Sequence, residues 1–308
     1  MNTVKTKKCN NRIKSCFADR VFDIINTIIL AFILIITAYP LIITISSSIS
    51  SANAISAGKV YFLPVDITFD GYIAVVKNKQ VITGVTNSVF YTAVGSAINV
   101  VMTVLAAYPL SRKDFRPQKF VSLMFAFTMW FSGGMIPSYI LVRDLGMINT
   151  RWAMLIPPAF GVWNMVLVRT YFQSNIPESL FESARLDGCD DWKYLMKIVL
   201  PLSKPILAVI TLYSVVGHWN AFFSANLYLQ SAKLQPLPVI LREILLLSQT
   251  NDIANEVAMA TEGTASLQEL NVILKYSLVV VSSLPMALLY VFTQKYFTKG
   301  IMVGSVKG

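Results

Sequence analysis

Six long apolar runs divide the chain, with polar segments between them. Each run holds about 20 or more mainly apolar residues, the length that an α-helix needs to cross the ~30 Å hydrocarbon core of a bilayer. The runs are residues 21–45, 84–110, 120–142, 152–172, 205–229 and 272–296. The pattern predicts an all-α integral membrane protein, with a six-span domain over 21–296 and tails over 1–20 and 297–308.

The composition supports this interpretation. Hydrophobic residues make up 55% of the 308 residues and charged residues only 14%, whereas soluble domains have about 25% charged residues. The mean hydropathy is +0.59. A soluble globular protein is therefore excluded, because too few charged side chains exist to cover its surface.

The net charge of +10 would suggest nucleic acid in a soluble chain, but here topology explains it. Seventeen Lys and Arg residues fall in the N-tail, residues 111–119, residues 173–204 and the C-tail, against seven in the three alternate loops. Cytoplasmic loops carry such an excess. We therefore expect a multi-pass protein of the cytoplasmic (inner) membrane with both termini cytoplasmic, and no nucleic-acid partner.

The predicted cytoplasmic loop 173–204 has the pattern of two short helices with a sharp joint. Gly188 suits a left-handed stop after the first helix, and Asp190 can cap the second. Pro201 is expected to end that second helix. One face of it would hold Trp192, Leu195, Met196 and Val199 at i, i+3, i+4 and i+7. Periodicity alone would favour an amphipathic helix pair resting on the membrane surface.

A fixed motif in this loop changes that interpretation. Glu182-Ser183-Ala184, then Gly188, then Ile198-Val199-Leu200-Pro201 resembles the EAA loop of ABC-importer permeases, with Ser183 in place of an alanine. The resemblance implies a coupling helix that docks on an ATPase. The residues it assigns to ATPase coupling are Glu182, Ser183, Ala184, Asp187, Gly188, Ile198, Leu200 and Pro201.

The resemblance extends over most of the chain. Gly217-His218-Trp219-Asn220, Leu237-Pro238-Val239 and residues 296–308 look like the second permease subunit of carbohydrate importers, in the branch for complex oligosaccharides. It implies a second homologous permease, a cytoplasmic dimer of ATP-binding subunits, an extracytoplasmic solute-binding protein and the surrounding bilayer. No Walker A pattern is present, so the partner ATPase would bind ATP and Mg, and we expect neither enzymatic activity nor a cofactor in this chain.

A sugar path needs hydrogen-bonding groups and aromatic faces along a cavity. Tyr213, Gly217, Asn220 and Ser224 follow at i, i+4, i+7 and i+11 on one face of the fifth span, with Trp219 beside them, and these five residues form a candidate substrate path. Broken helices also point inward, and the sequence predicts breaks at Gly133-Gly134 with Pro137 and at Pro157-Pro158. The alternative is a packing seam of small residues between helices.

Few other residues offer chemistry inside the spans. His218 is the only ionisable side chain well inside a span apart from tyrosines, and we expect it to be a packed, hydrogen-bonded helix residue. Ion-driven carriers usually need intramembrane acids or bases, so active transport would draw its energy from outside the membrane. The external loop 230–271 is long enough to suggest function, with a short helix at its start.

Two further interpretations remain open from the residues. A membrane scaffold or assembly subunit could use the same cytoplasmic helices to dock a partner without transporting anything. An intramembrane enzyme is a third class, but it lacks a candidate site. The three cysteines show no metal-ligand spacing, and we expect no metal site.

Overall fold

The computed structural model describes residues 17–246 and 265–304, which are helical with no β-strand. The predictions for residues 1–16, 247–264 and 305–308 lie outside the described residues. The helices are α1 (Phe17–Ser48), α2 (Ala52–Ser56), α3 (Asp70–Lys77), α4 (Lys79–Ser111), α5 (Gln118–Trp130), α6 (Met135–Asp144), α7 (Trp152–Leu155), α8 (Val162–Asn175), α9 (Glu178–Leu186), α10 (Asp191–Tyr194), α11 (Leu200–Leu202), α12 (Lys204–Trp219), α13 (Phe222–Tyr228), α14 (residues 237–246) and α15 (Ala265–Gly304). A 3₁₀ turn (Pro157–Ala159) follows α7, and a π-helical segment (Leu195–Val199) joins α10 to α11.

Three helices, α1, α4 and α15, each contain a stretch long and apolar enough to cross a membrane. Three further candidates are bent pairs of helical segments: α5 with α6 at 111°, Trp152–Ala159 with α8 at 44°, and Asp191–Leu202 with α12 at 84°. Counting each pair as one span gives six among the described residues. The predicted all-α membrane fold is confirmed.

The third and fourth spans bend where the sequence predicts breaks. Gly134 has a φ of +85°, a left-handed conformation that residues with a Cβ disfavour. Pro157 and Pro158 lack a backbone N–H, so an α-helix cannot continue through them, and the chain forms a 3₁₀ turn there. Both predicted breaks are confirmed.

The fifth span differs from the predicted helix over 205–229. α12 ends at Trp219, and Asn220 and Ala221 separate it from α13. The carbonyl of Asn220 accepts a hydrogen bond from the Phe222 N–H at 2.7 Å instead of one from a following helical turn. Asparagine is a weak helix former because its side chain competes for backbone groups, but the apolar pattern on both sides conceals the break.

The predicted amphipathic face of the second loop helix is wrong. Leu195 and Val199 are buried, whereas Trp192 and Met196 are exposed. The π-helical segment takes more residues per turn, so residues three apart no longer share a face, whereas residues four apart still do. The helix ends at Leu202, immediately after Pro201 as expected.

α4 is the central helix of the bundle and packs against α3, α5, α7, α8 and α12. It buries six polar side chains: Asn87, Ser88, Thr92, Ser96, Asn99 and Thr103. Polar side chains at membrane depth face the protein interior rather than lipid. The outer helices show the reverse arrangement, since the most apolar stretch of α1 is wholly unburied within this chain.

His218 packs at the crossing of α4 and α12, as the sequence predicts. Its side chain is buried, and Nδ1 lies 2.8 Å from the Ser214 carbonyl oxygen, which can only accept a hydrogen bond. Across the crossing, the ring lies directly against Gly95 of α4, where a Cβ would overlap the imidazole atoms. Gly95 therefore sets the closest approach of the two helices at this point.

We expect Gly95→Ala to destabilise the folded protein by about 1–3 kcal/mol, the usual cost of adding volume to a packed core. The measurement is the unfolding temperature of the purified protein in detergent. Gly217→Ala is the matched control, because a Cβ at that position has no neighbour within 4 Å. In a His218→Ala background, Gly95→Ala should cause little further loss. Equal stability of Gly95→Ala and Gly217→Ala would contradict this contact.

Candidate functional site

Residues 173–204 form a helix–turn–helix at one end of the bundle, which we call the loop end. Gly188 has a φ of +72° and reverses the chain after α9, and its N–H donates to the Arg185 carbonyl at 3.0 Å. Asp190 caps α10, because its Oδ1 accepts from the Lys193 N–H at 2.8 Å. The predicted turn and cap are both confirmed.

The residues predicted to couple to an ATPase divide into two sets. The exposed set consists of Glu182, Ser183, Asp187, Gly188 and Pro201. The inward set consists of Ala184, Ile198 and Leu200, of which Ala184 is buried and the other two pack against the same cluster. The inward residues hold the loop on the bundle, and the exposed residues are available for contact.

A large apolar side chain stands in the middle of the exposed set. Leu186 is 90% exposed at the end of α9, four residues after Glu182 and immediately before Asp187 in the sequence. Trp192 follows on α10 at 57% exposed. Such apolar exposure among charged residues typically marks a contact with another protein or a membrane. Sequence reasoning missed Leu186 because its periodicity is that of an ordinary helix residue.

The residues of the candidate substrate path surround a cavity of about 600 Å³ between α4, α8, α12 and α13. Tyr213, Gly217, Asn220 and Ser224 all line it, although Asn220 lies in the break between two helices. The volume is within the range of small-molecule sites, about 300–1,000 Å³. The structure thus brings together four of the five residues that the pattern singles out.

Trp219 lies apart from this cavity. Its side chain is 5% exposed within an apolar cluster with Leu237 and Leu278, and its indole Nε1–H donates to the Ser282 carbonyl at 3.1 Å. It anchors the end of α12 against α15. The i+6 spacing from Tyr213 places it on a different side of the helix from the cavity.

A hydrogen-bond network that the sequence reasoning did not find forms one wall of the cavity. Asn99 of α4 donates from Nδ2 to the Pro158 carbonyl at 2.8 Å and accepts at Oδ1 from the Ser214 hydroxyl at 2.7 Å. Asn164 of α8 donates to the same Oδ1 at 3.4 Å. Asn99 thereby joins α4 to the proline break, α8 and α12. The available signal was an asparagine in the middle of an apolar span.

The surroundings of Gly217 show whether the candidate substrate path is instead a seam where two helices pack through small residues. A Cβ at this position would find no atom of this chain within 4 Å. The residue is exposed and faces the cavity, whereas the seam of α12 against α4 lies at His218. Within this chain, the stripe from Tyr213 to Ser224 is therefore not used for close helix packing.

The opposite end of the bundle carries the start of the loop 230–271. The short helix expected at its start is present as α14. Asn87 of α4 donates from Nδ2 to the carbonyls of Lys233 and Gln235 at 2.9 and 3.1 Å, and the Leu237 N–H donates to the Ser88 hydroxyl at 2.8 Å. This end is therefore also fixed on α4.

Comparisons with known proteins agree with this architecture. Residues 80–303 match the family described as binding-protein-dependent transport system inner membrane component. The polygalacturonan/rhamnogalacturonan transport system permease protein YtcP of Bacillus subtilis (strain 168) is 34% identical over 290 residues, which cover 94% of this chain and 99% of YtcP.

Two solved structures share the fold. A chain of a bacterial ABC transporter involved in the import of the acidic polysaccharide alginate superposes with a TM-score of 0.82 at 35% identity, covering 92% of this chain and 99% of that one. A chain from the alginate transporter in complex with an alginate pentasaccharide-bound periplasmic protein has a TM-score of 0.56 at 14% identity, covering 90% and 93%. The second likeness concerns the fold alone.

The family match spans well over half of the chain, and the relative with 34% identity is covered almost end to end. The resemblance to importer permeases seen in the EAA-like loop is thereby confirmed. This chain belongs to the family of binding-protein-dependent transport system inner membrane components, the permeases of ABC importers.

Proposed function

We propose that this chain is one of two permease subunits that form the membrane path of an ATP-driven importer for an acidic oligosaccharide. The observation that carries the proposal is the polar cavity between the broken spans. Its lining offers hydroxyl, amide and aromatic groups and contains no aspartate or glutamate. A sugar that bears carboxylates would therefore meet no like charge in this part of the path.

The similar proteins support the substrate class. YtcP is named for polygalacturonan and rhamnogalacturonan, and the solved transporter for alginate. Polygalacturonan and alginate are both built from uronic acids, whose rings each carry a carboxylate.

The loop end would dock the ATPase dimer, which binds ATP and Mg. Its exposed surface combines Leu186 with the carboxylates of Glu182 and Asp187, a combination suited to an apolar cleft with a basic rim. The loop end and both chain termini would face the cytoplasm, in agreement with the Lys and Arg distribution. A solute-binding protein would then deliver the sugar at the end that carries α14.

A scaffold subunit would need only part of this structure. It would use the loop end to dock a cytoplasmic partner, but it would have no need of a polar cavity next to two helix breaks. Irregular backbone at membrane depth occurs only against protein or a water-filled space. The breaks at Pro157-Pro158 and at Asn220, both beside the cavity, therefore favour transport.

Uptake into vesicles tests the proposal directly. We expect vesicles that hold this chain, a second permease and the ATPase, supplied with the binding protein, to take up an oligogalacturonide in preference to a neutral maltooligosaccharide. Uptake should require ATP and persist when an uncoupler collapses the proton gradient, since the sequence places no aspartate or glutamate in the centre of a predicted span. Uptake driven by a pH gradient without ATP would refute the transport proposal, and preference for the neutral sugar would refute the acidic class.

Changes in the loop end should uncouple ATP hydrolysis from sugar uptake. Gly188→Pro cannot adopt the φ of +72° at the turn, and Glu182→Lys inverts an exposed charge on α9 without disturbing a buried contact. We expect both proteins to reach the membrane but to lose sugar uptake relative to ATP hydrolysis. Lys197→Gln, an exposed change on the π-helical segment, is the control. Wild-type uptake with normal assembly in both variants would contradict the docking role.

The cavity should be sensitive to loss of hydrogen bonding at Asn220. Asn220→Leu keeps approximate volume but removes an amide that can both donate to and accept from sugar hydroxyls. We expect slower uptake or altered specificity, with the ATPase still bound. Asn26→Leu on the exposed surface of α1 is the matched control. If Asn220→Leu transports normally, the path must be sought elsewhere along the broken third and fourth spans.

A further inference from the structure

Three consecutive residues that follow α4, Arg112 to Asp114, contact α9 at both ends and in its middle. Lys113 forms an ion pair with Glu178 in the first turn of α9. The Asp114 carboxylate lies 3.8 Å from the Arg185 guanidinium in the last turn. No sequence motif marks these residues, which the positive-inside count treats only as loop charges.

The middle contact is a stack on an aromatic ring. The Arg112 guanidinium carbon lies 3.1 Å from the centroid of the Phe181 ring, and that of Arg185 lies 4.9 Å from it. The Arg112 side chain is only 16% exposed, so the stack is largely shielded from solvent. Tyr194 of α10 also packs on this ring and meets Phe181 edge-on, with 5.2 Å between the two ring centroids. Such cation–π contacts gain strength when they lose water.

Asp114 bridges the two arginines. Its Oδ1 accepts from Arg112 Nε at 3.2 Å, and its Oδ2 lies 3.8 Å from Arg185. The hydrogen bond from Arg112 lowers the pKa of Asp114 below its usual value, so the carboxylate stays ionised near neutral pH. Arg185 also reaches Asp191 of α10 at 3.6 Å. A single exposed ion pair holds two surfaces weakly, but here several charges converge on one ring and orient one helix.

The other end of this connection is the rigid end of α4. The Leu110 carbonyl accepts from Arg169 Nε of α8 at 2.9 Å and from Gln118 Nε2 at 2.8 Å, which fixes the last turn. From Ser111, the helix runs without a break to Asn99 at the cavity wall, a distance of about 18 Å at 1.5 Å per residue. A displacement of residues 112–114 along the α4 axis would therefore reach the cavity.

We propose that residues 112–114 form a tether that makes α4 move with α9, and that Asp114 is its positioning residue. The proposal rests on the function proposed above, since α9 moves only if an ATPase docks at the loop end. The tether adds a second connection between the loop end and the bundle, separate from the direct continuation of the chain into α8 and α12. Through this tether, a movement of α9 would shift Asn99 and hence the cavity wall.

The test uses the complete transporter in vesicles and measures sugar transported per ATP hydrolysed. We expect Asp114→Asn to lower this ratio about fivefold or more, the lower range of coupling between distant sites, while the ATPase still co-purifies and the unfolding temperature stays unchanged. Asp114→Glu should keep most of the ratio. Arg116→Gln is the matched control, because it removes a charge from the same loop and no ion pair joins Arg116 to α9 among the described residues.

A double-mutant cycle separates a tether from independent surface effects. If Asp114 and Arg185 act through each other, Asp114→Asn with Arg185→Gln should lower the ratio no further than one change alone. Phe181→Leu removes the stacking surface without a change in charge and should lower the ratio as well. These variants also cover the case in which Asp114→Asn fails to assemble.

The outcomes distinguish the two proposals. If the wild-type complex shows no ATP-dependent uptake, the proposed function fails. If the wild type transports but Asp114→Asn and Phe181→Leu keep the wild-type ratio, the tether alone is refuted. Additive effects of the Asp114 and Arg185 changes would refute their joint action and with it the tether.

Discussion

Hydrogen bonds from three buried polar side chains of α4 fix the segments that surround its two ends and its cavity face. A membrane interior offers no water, so a polar side chain there must find a protein partner or bear a cost of several kcal/mol. Asn87, Ser88 and Asn99 meet this constraint by bonding to other segments, whereas the hydroxyls of Thr92, Ser96 and Thr103 have no hydrogen-bond partner among the described residues. Asn87 and Ser88 fix the start of the loop 230–271, and Asn99 fixes the proline break and α12. Each partner segment is thereby placed relative to one continuous helix.

The same bonds explain why the cavity is polar yet defined in shape. The helix break leaves the Pro158 carbonyl without a helical partner, and it accepts a hydrogen bond from the Asn99 side chain instead. Gly95 allows α12 to approach α4 closely at His218, while Gly217, one residue earlier on α12, faces open space. One helix therefore packs tightly on one face and lines a cavity on the adjacent face. Substitutions at neighbouring positions should accordingly affect stability in one case and transport in the other.

Much of this architecture could be predicted from the sequence, because apolar length, Gly and Pro report directly on spans, breaks and turns. Gly188, Asp190 and Pro157-Pro158 act as predicted, since their backbone constraints are local. Trp219 and Leu195 show the limit of pattern reasoning. In a membrane protein, the surface that faces lipid and the surface that faces another helix are both apolar, so periodicity does not tell them apart. The π-helical segment Leu195–Val199 and the break at Asn220 contain no Gly or Pro, so the apolar pattern runs through both without a signal.

The basic residues after α4 illustrate how one set of charges can serve two constraints. Cytoplasmic loops carry an excess of positive charge, and Arg or Lys at any position in such a loop supplies it. The contacts of Arg112 are more demanding, because stacking on Phe181 while bonding Asp114 requires a planar guanidinium. Lys113 meets only the charge requirement through Glu178. A lysine at position 112 would thus keep the positive charge but lose the geometry that orients α9.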